Sequence, residues 1–241
     1  MLIACISDLH ANLPALEACV EDAKRRGVEK VICAGDMTGY GPFPGEVCRF
    51  LKERRIPAVF GNYDRKVMEV LREGNSAAAG MKSKKRDVLM WAARRLGREG
   101  MEYLSGLPEH LSLRVQGHRI HVVHGSPVSA DDTIYPSITP EALEKKLVDP
   151  SPSPLPRIGG EGKKDARPEI LVCGHTHIPF VKSVSRVLVV TCGSAGHPVD
   201  GDPRPAYALL RLEKGAAPRA RIVRFAYDTR RTIAALGNRP P

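Results

Sequence analysis

The chain has 241 residues, 42% of them hydrophobic, which suits one large α/β domain or two small ones with a sizeable buried core. The formal net charge of +10 excludes an acidic, solvating chain and sets up a field that favours encounters with phosphorylated molecules. The basic residues are scattered in short clusters and aromatics make up only 5%, so a nucleic-acid surface built on base stacking is the weaker reading.

Leu2 to Ile6 reads as a short apolar strand, and the segment MLIACISDLH turns polar too soon for a signal peptide or a membrane span. No later stretch is long and apolar enough to cross a bilayer. The six cysteines contain no CxxC, and four lie in apolar runs, as buried reduced thiols do. A cytoplasmic protein is therefore expected. A helix follows over 14–26, capped by Asn12, with Pro14 in its first turn, Lys24 to Arg26 at its C-terminus and Gly27 past its end. Its buried stripe is Leu13, Leu16, Val20 and Ala23. A second strand is expected over 31–34, a second helix over 44–55 and a third strand over 58–60. This β-α-β-α-β order starts a parallel, right-handed sheet.

From 77 to about 104 the pattern is helical, with Val88, Leu89, Ala92, Ala93 and Leu96 on one face. A hairpin turns at Gln116-Gly117-His118, and further strands are expected at 170–173, 187–191, 207–212 and 221–226. The segment at about 149–168, with five prolines and three glycines, is expected to be a mobile loop within a single domain spanning 1–241.

Five fragments carry the chemistry: Asp8-Leu9-His10, Gly35-Asp36, Gly61-Asn62-Tyr63-Asp64, His124-Gly125 and Gly174-His175-Thr176-His177. Each follows a short apolar run. Asp8, Asp36 and Asn62 are spaced 28 and 26 residues apart, close to one βαβ unit each, so each falls at the carboxyl end of a strand, where open α/β sheets bind ligands. Singly, each fragment also has an ordinary reading as a turn or cap, and Asp64 suits a cap of the helix after it. Together they offer two carboxylates, an amide oxygen and three histidine-bearing fragments, enough for two metal ions sharing one carboxylate. The nitrogen and oxygen donors suit manganese, iron, zinc or nickel more than calcium or Cu(I). A two-metal clamp serves in-line attack on phosphorus, so a metal-dependent phosphoesterase is the reading. His110 and His118 are expected to face solvent and His121 to be half-buried. His197, in a Gly/Ser/Pro loop, is a candidate substrate contact. No Walker loop, G-x-G-x-x-G or G-x-S-x-G competes.

The fragments resemble the calcineurin-like metallophosphoesterase superfamily, whose pattern runs D-x-H, G-D, G-N-H-D/E, H-G, G-H-x-H. The segments 35–44, 193–198 and 206–208 resemble its small bacterial and archaeal phosphodiesterase branch, often labelled diadenosine-tetraphosphatase-like. The resemblance implies an α/β fold with a central β-sandwich of two mixed sheets flanked by helices. It implies Asp8, His10 and His177 on one ion, Asn62, His124 and His175 on the other, and Asp36 bridging. It further implies hydrolysis of a small phosphodiester or phosphomonoester by a metal-bridging hydroxide. Two positions depart: Ala11 stands where a glycine commonly follows Asp-x-His, a lesser change, and Tyr63 stands where the family places a histidine that protonates the leaving group. Tyrosine can donate that proton but matches neutral pH less well. The rival readings are a non-catalytic metal-binding interaction module of the same fold and a nuclease.

Overall fold

The computed structural model describes residues 1–74, 76, 81–147 and 168–237. Its elements, in chain order, are β1 (Leu2–Ile6), α1 (Leu13–Arg25), β2 (Lys30–Cys33), α2 (Pro44–Glu53), α3 (Asn62–Glu73), α4 (Ser83–Ser105), β3 (His110–Val115) and β4 (His118–Val123). They continue with α5 (Pro140–Leu147), β5 (Ile170–Cys173), β6 (Phe180–Val184), β7 (Val187–Thr191), β8 (Ala206–Arg211), β9 (Arg219–Arg224) and α6 (Arg230–Leu236).

Side-chain alternation in the apolar strands produces the layers. In β1, Ile3 and Cys5 enter one core while Ala4 and Ile6 enter another; in β7, Leu188 and Val190 part from Val187 and Val189 in the same way. Strands buried on both faces read as continuous apolar runs, which is why these were plain in the sequence. One sheet has the order β2-β1-β8-β9 and the other β3-β4-β5-β7-β6, and both mix parallel and antiparallel pairs. Ile3, Cys5 and Ile32 of the first meet Ile120, Val122, Ile170 and Val190 of the second in a shared core, so the sheets form a sandwich. Helices α1 to α4 cover the outer face of the first sheet; Leu143 of α5, with Ile134 and Ile138, covers the second. The expected sandwich of two mixed sheets flanked by helices is the observed fold.

Several local expectations need correction. The third strand reduces to a single bridge between Cys33 and Ala58, because the chain turns at once into α3. Strand β6 and helices α5 and α6 lie outside the expected elements. His118 is buried, not solvent-facing: its ring contacts the Glu169 carboxylate and the Glu213 carbonyl. The loop expected at about 149–168, apart from Pro168, lies outside the described residues. Among those described, no helix is long and apolar enough to cross a membrane, and all six cysteines are buried free thiols.

The parallel strands β1, β2, β4, β5 and β7 bring the chemistry-bearing loops to one end of the sandwich. Backbone hydrogen bonds then stitch these loops together: Asp8 N to Gly35 O, His10 N to Asp36 O, Gly174 N to His124 O and Gly196 N to Asp8 O. Asn12 extends the stitching. Its Oδ1 caps α1 through Ala15 N and accepts from Thr232 of α6, while its Nδ2 donates to Gly196 O and Tyr227 Oη. Asn12→Ala removes a cap and strands buried partners, so it should lower unfolding free energy by about 2 kcal/mol in urea titrations. A change under about 0.5 kcal/mol would mean that water replaces this side chain without loss.

Candidate metal centre

At the carboxyl ends of the strands, the backbone gives up regular conformation to aim side chains inward. Asp8, His10, Asp36, His175 and His177 all have φ between +43° and +68°. Non-glycine residues avoid this left-handed region, at roughly 1–3 kcal/mol each, unless the surroundings fix them there. Five such residues at one end of one molecule mark a site whose geometry outweighs local comfort.

The side chains converge. Asp8, His10 and His177 place ligand atoms within 4.8 Å of one another, and so do Asp8, Asp36 and His124. Asp8 belongs to both groups, and Asp36 lies between two rings: Oδ2 is 3.7 Å from His10 Nε2 and Oδ1 is 3.4 Å from His124 Nε2. The His175 ring packs edge-on against His124 at 5.2 Å, and its backbone N–H donates to the Asp8 carboxylate. Asn62, the first residue of α3, is buried.

Three imidazoles are oriented by backbone carbonyls. The Nδ1–H of His10 donates to Thr38 O, that of His124 to Ala34 O and that of His177 to His197 O. A carbonyl only accepts, so in each neutral ring the proton sits on Nδ1 and Nε2 carries a lone pair. This is the arrangement that metal-binding histidines adopt. The Nε2 atoms of His10 and His177 face each other at 3.0 Å, and two lone pairs at that distance need a cation between them, a proton or a metal ion. His124 Nε2, which faces Asp36 Oδ1 at 3.4 Å, and Asn62 Oδ1 are buried polar atoms with no hydrogen-bond partner among the described residues. Such atoms cost about 1–3 kcal/mol each unless something binds them.

The charges agree. Asp8 and Asp36 are buried, and their ion pairs among the described residues are all with histidines. Burial opposes their ionisation, but the imidazoles prevail and hold both below the usual carboxylate range. Burial, helped by the neighbouring His177, drives His10 down to about 4 against both carboxylates, whereas at His124 the Asp36 carboxylate overrides burial and lifts the ring to about 10. Two buried carboxylates whose ion pairs are with imidazoles alone among the described residues form a cation-seeking pocket. The residues present fit divalent metal ions.

A third buried carboxylate has a structural task. Asp64 accepts from the backbone N–H groups of Met37, Thr38 and Gly61 and from the Thr38 hydroxyl, lashing the Asp36 loop to the start of α3. Burial, reinforced by Asp36, raises it to about 6. The expected cap of α3 is observed, and the tie to Thr38 comes in addition.

The structure therefore brings Asp8, His10, Asp36, His124, His175 and His177 together, with Asn62 buried between Gly61 and Tyr63, whose backbones both lie against Asp36. Tyr63 and His197 sit at the rim. Tyr63 packs against His10 at 5.2 Å between ring centroids, and its backbone N–H donates to Asp36 Oδ1. His197 is exposed and stacks on Tyr40 at 4.6 Å. Tyr40 is the residue that the fragments passed over. It packs on His10 and its hydroxyl bonds to that of Tyr63. Its setting in Gly39-Tyr40-Gly41-Pro42, directly after Asp36, was the available signal.

The calcineurin-like phosphoesterase superfamily domain matches residues 1–215. An uncharacterized protein of Methanocaldococcus jannaschii, MJ0912, is 27% identical over 247 aligned positions, covering 95% of this chain and 89% of that protein. The metallophosphoesterase of Sphaerobacter thermophilus superposes with a TM-score of 0.72 at 28% identity, covering 98% and 93% of the two chains. Protein PH1004 of Pyrococcus horikoshii superposes with a TM-score of 0.80 at 22% identity over 99% and 94%, a likeness of fold.

Gly61 tests how tightly the site is built. A methyl group there would lie 2.2 Å from both the backbone nitrogen and Oδ1 of Asp36. Gly61→Ala should cost about 3 kcal/mol of stability by this overpacking and weaken divalent-metal binding at the same time. Calorimetric Mn²⁺ titration and thermal melts of the variant matching wild type would contradict the packing.

Proposed function

We propose that this chain, which belongs to the calcineurin-like phosphoesterase superfamily, uses two divalent metal ions to hydrolyse a small soluble phosphodiester or phosphomonoester. Manganese is the first choice, with iron, zinc and nickel the others that the donor set suits. The observation that carries the reading is the pair of buried polar atoms without hydrogen-bond partners, His124 Nε2 and Asn62 Oδ1, beside two buried carboxylates. The buried reduced cysteines favour a cytoplasmic setting.

Asp8, His10 and His177 would hold one ion, Asn62, His124 and His175 the other, and Asp36 both. Bound there, the ions would supply charge neutralisation at the phosphoryl oxygens and a lowered pKa for an attacking water. The chain's own part is preorganisation. The carbonyls of Thr38, Ala34 and His197 keep three Nε2 atoms pointed at fixed places, so little reorganisation remains at the moment of reaction. Asp64 ties the Asp36 loop to Gly61 and so sets where Asn62 begins α3.

Tyr63 occupies the position of the leaving-group acid. Burial first, and then the Tyr40 hydroxyl, push its pKa above the ordinary phenol value. It remains a neutral hydrogen-bond donor and a weak source of protons. The enzyme should therefore depend on how readily the leaving group departs unaided.

Two outcomes test this reading. Asp36→Ala should bind fewer than two Mn²⁺ per chain and lose activity by several orders of magnitude; two tightly held ions in the variant, by elemental analysis, would refute the shared-carboxylate role. Wild-type protein with Mn²⁺ should cleave bis-p-nitrophenyl phosphate and turn over unactivated alkyl esters much more slowly. Tyr63→His should raise the alkyl-ester rate about tenfold or more, and the aryl rate less, given that general acid help is worth about 10²–10⁴-fold. Equal changes on both substrates would remove Tyr63 from leaving-group chemistry. No hydrolysis by either protein with both ions bound would favour the interaction module.

A further inference from the structure

We infer that Asp131 is a positioning residue for Asn62, fixing which end of its side-chain amide faces the centre; the inference rests on reading Asn62 as a metal ligand. An amide is nearly symmetric in shape but not in chemistry: its nitrogen donates and its oxygen accepts. Packing alone does not choose between the two orientations, and only the oxygen can bind a cation. Something must therefore recognise the nitrogen end.

Asp131 does so. Asn62 Nδ2 donates to Asp131 Oδ1 at 2.8 Å, and Asn62 Oδ1 is left buried and unpartnered at the opposite end of the amide. An ionised carboxylate only accepts. Turning the amide over would set two oxygens against each other and present an NH₂ group to the ion. The same Asp131 oxygen accepts from Lys66 Nζ at 3.0 Å, and Arg65 Nη1 lies 3.6 Å from the other oxygen. Lys66 is one helical turn beyond Asn62 on α3, so Asp131 clasps two neighbouring positions on one helix face.

The loop that presents Asp131 is built for the purpose. It leaves β4 at His124 and doubles back at once, with Ser126 N–H donating to Ser129 O and Asp132 N–H to the same oxygen. Gly125 makes this possible: a methyl group there would lie 2.3 Å from Asp132 O and 2.7 Å from the carbonyls of Ala130 and Ser129. Asp132 pins the far end by bonding to the Ser126 hydroxyl and to Lys146. The loop thus begins at one buried polar atom without a hydrogen-bond partner, His124 Nε2, and ends by orienting the other, Asn62 Oδ1. One backbone excursion connects both.

Mn²⁺ titration of the full chain by calorimetry, with elemental analysis, separates this role from a structural or purely electrostatic one. Asp131→Ala should retain the metal-free melting behaviour, since its side chain is 53% exposed, and weaken the weaker Mn²⁺ step about 10- to 100-fold, the usual effect of losing such a support. Asp131→Asn should recover most of that loss, because its oxygen can still accept from Asn62 Nδ2. Lys66→Met removes a neighbouring charge while leaving the bond, and should change Mn²⁺ affinity by less than about threefold. If bulk charge were the cause, Lys66→Met would tighten binding and Asp131→Asn would match Asp131→Ala; that pattern, or wild-type affinity in Asp131→Ala, overturns the inference. A second readout needs no metal. In the metal-free protein, the Asn62 side-chain NH₂ resonances should shift strongly on Asp131→Ala, and their constancy would also overturn it. A wild type that fails to take up Mn²⁺, but whose Asn62 resonances respond to Asp131→Ala, would count against the metal reading and leave the clamp standing.

Discussion

Burying two carboxylates side by side is the constraint around which the rest is arranged. Asp8 and Asp36 follow adjacent parallel strands, are almost wholly shielded from water and face imidazoles, with one backbone N–H each from His175 and Tyr63. Left so, they repel each other and forgo hydration. The fold tolerates this because the backbone around them is over-determined: Asp8 N–H bonds Gly35 O, His10 N–H bonds Asp36 O, and both aspartates are held at positive φ. The strain and the desolvation sit at the same atoms, as they do where a cation is to be received.

Around that pair the molecule works as two nested shells. The inner shell presents lone pairs. The outer shell consists of groups whose only task is to keep those lone pairs pointed inward: the carbonyls of Ala34, Thr38 and His197, the Asp64 carboxylate and, for Asn62, Asp131. Backbone carbonyls predominate because they belong to the strand-end loops themselves and need no further support. Only the amide of Asn62, whose two ends are alike in shape, calls for a carboxylate to tell them apart.

The rim follows another logic. Tyr40, Tyr63 and His197 pack as rings on His10 and on one another. They enclose one side of the site with polarisable surface and retain a hydroxyl proton free to donate, since only one of two is used between Tyr40 and Tyr63. On the proposed reading, such a rim would tolerate varied leaving groups better than it would protonate poor ones.

The sequence alone determined most of the sandwich strands and the strand-end fragments whose Asp and His residues meet. Apolar runs with two-sided burial, such as Leu2–Ile6 and Ile170–Cys173, announce buried strands, and a polar ligand type after each run fixes which end carries the chemistry. It could not determine what depends on contacts between distant segments. Residues 58–60 look like a strand, yet the chain enters α3 at Asn62, because Asp64 bonds back to Gly61 and across to Thr38. His118 looks like a turn residue but is buried by Glu169 and Glu213, 51 and 95 positions away. Asp131 carries no local signature, since it acts only on a side chain that the tertiary fold delivers to it. Periodicity records which face of an element is buried. Which hydrogen-bonding group lies opposite a given side chain is decided only when the two sheets close on each other.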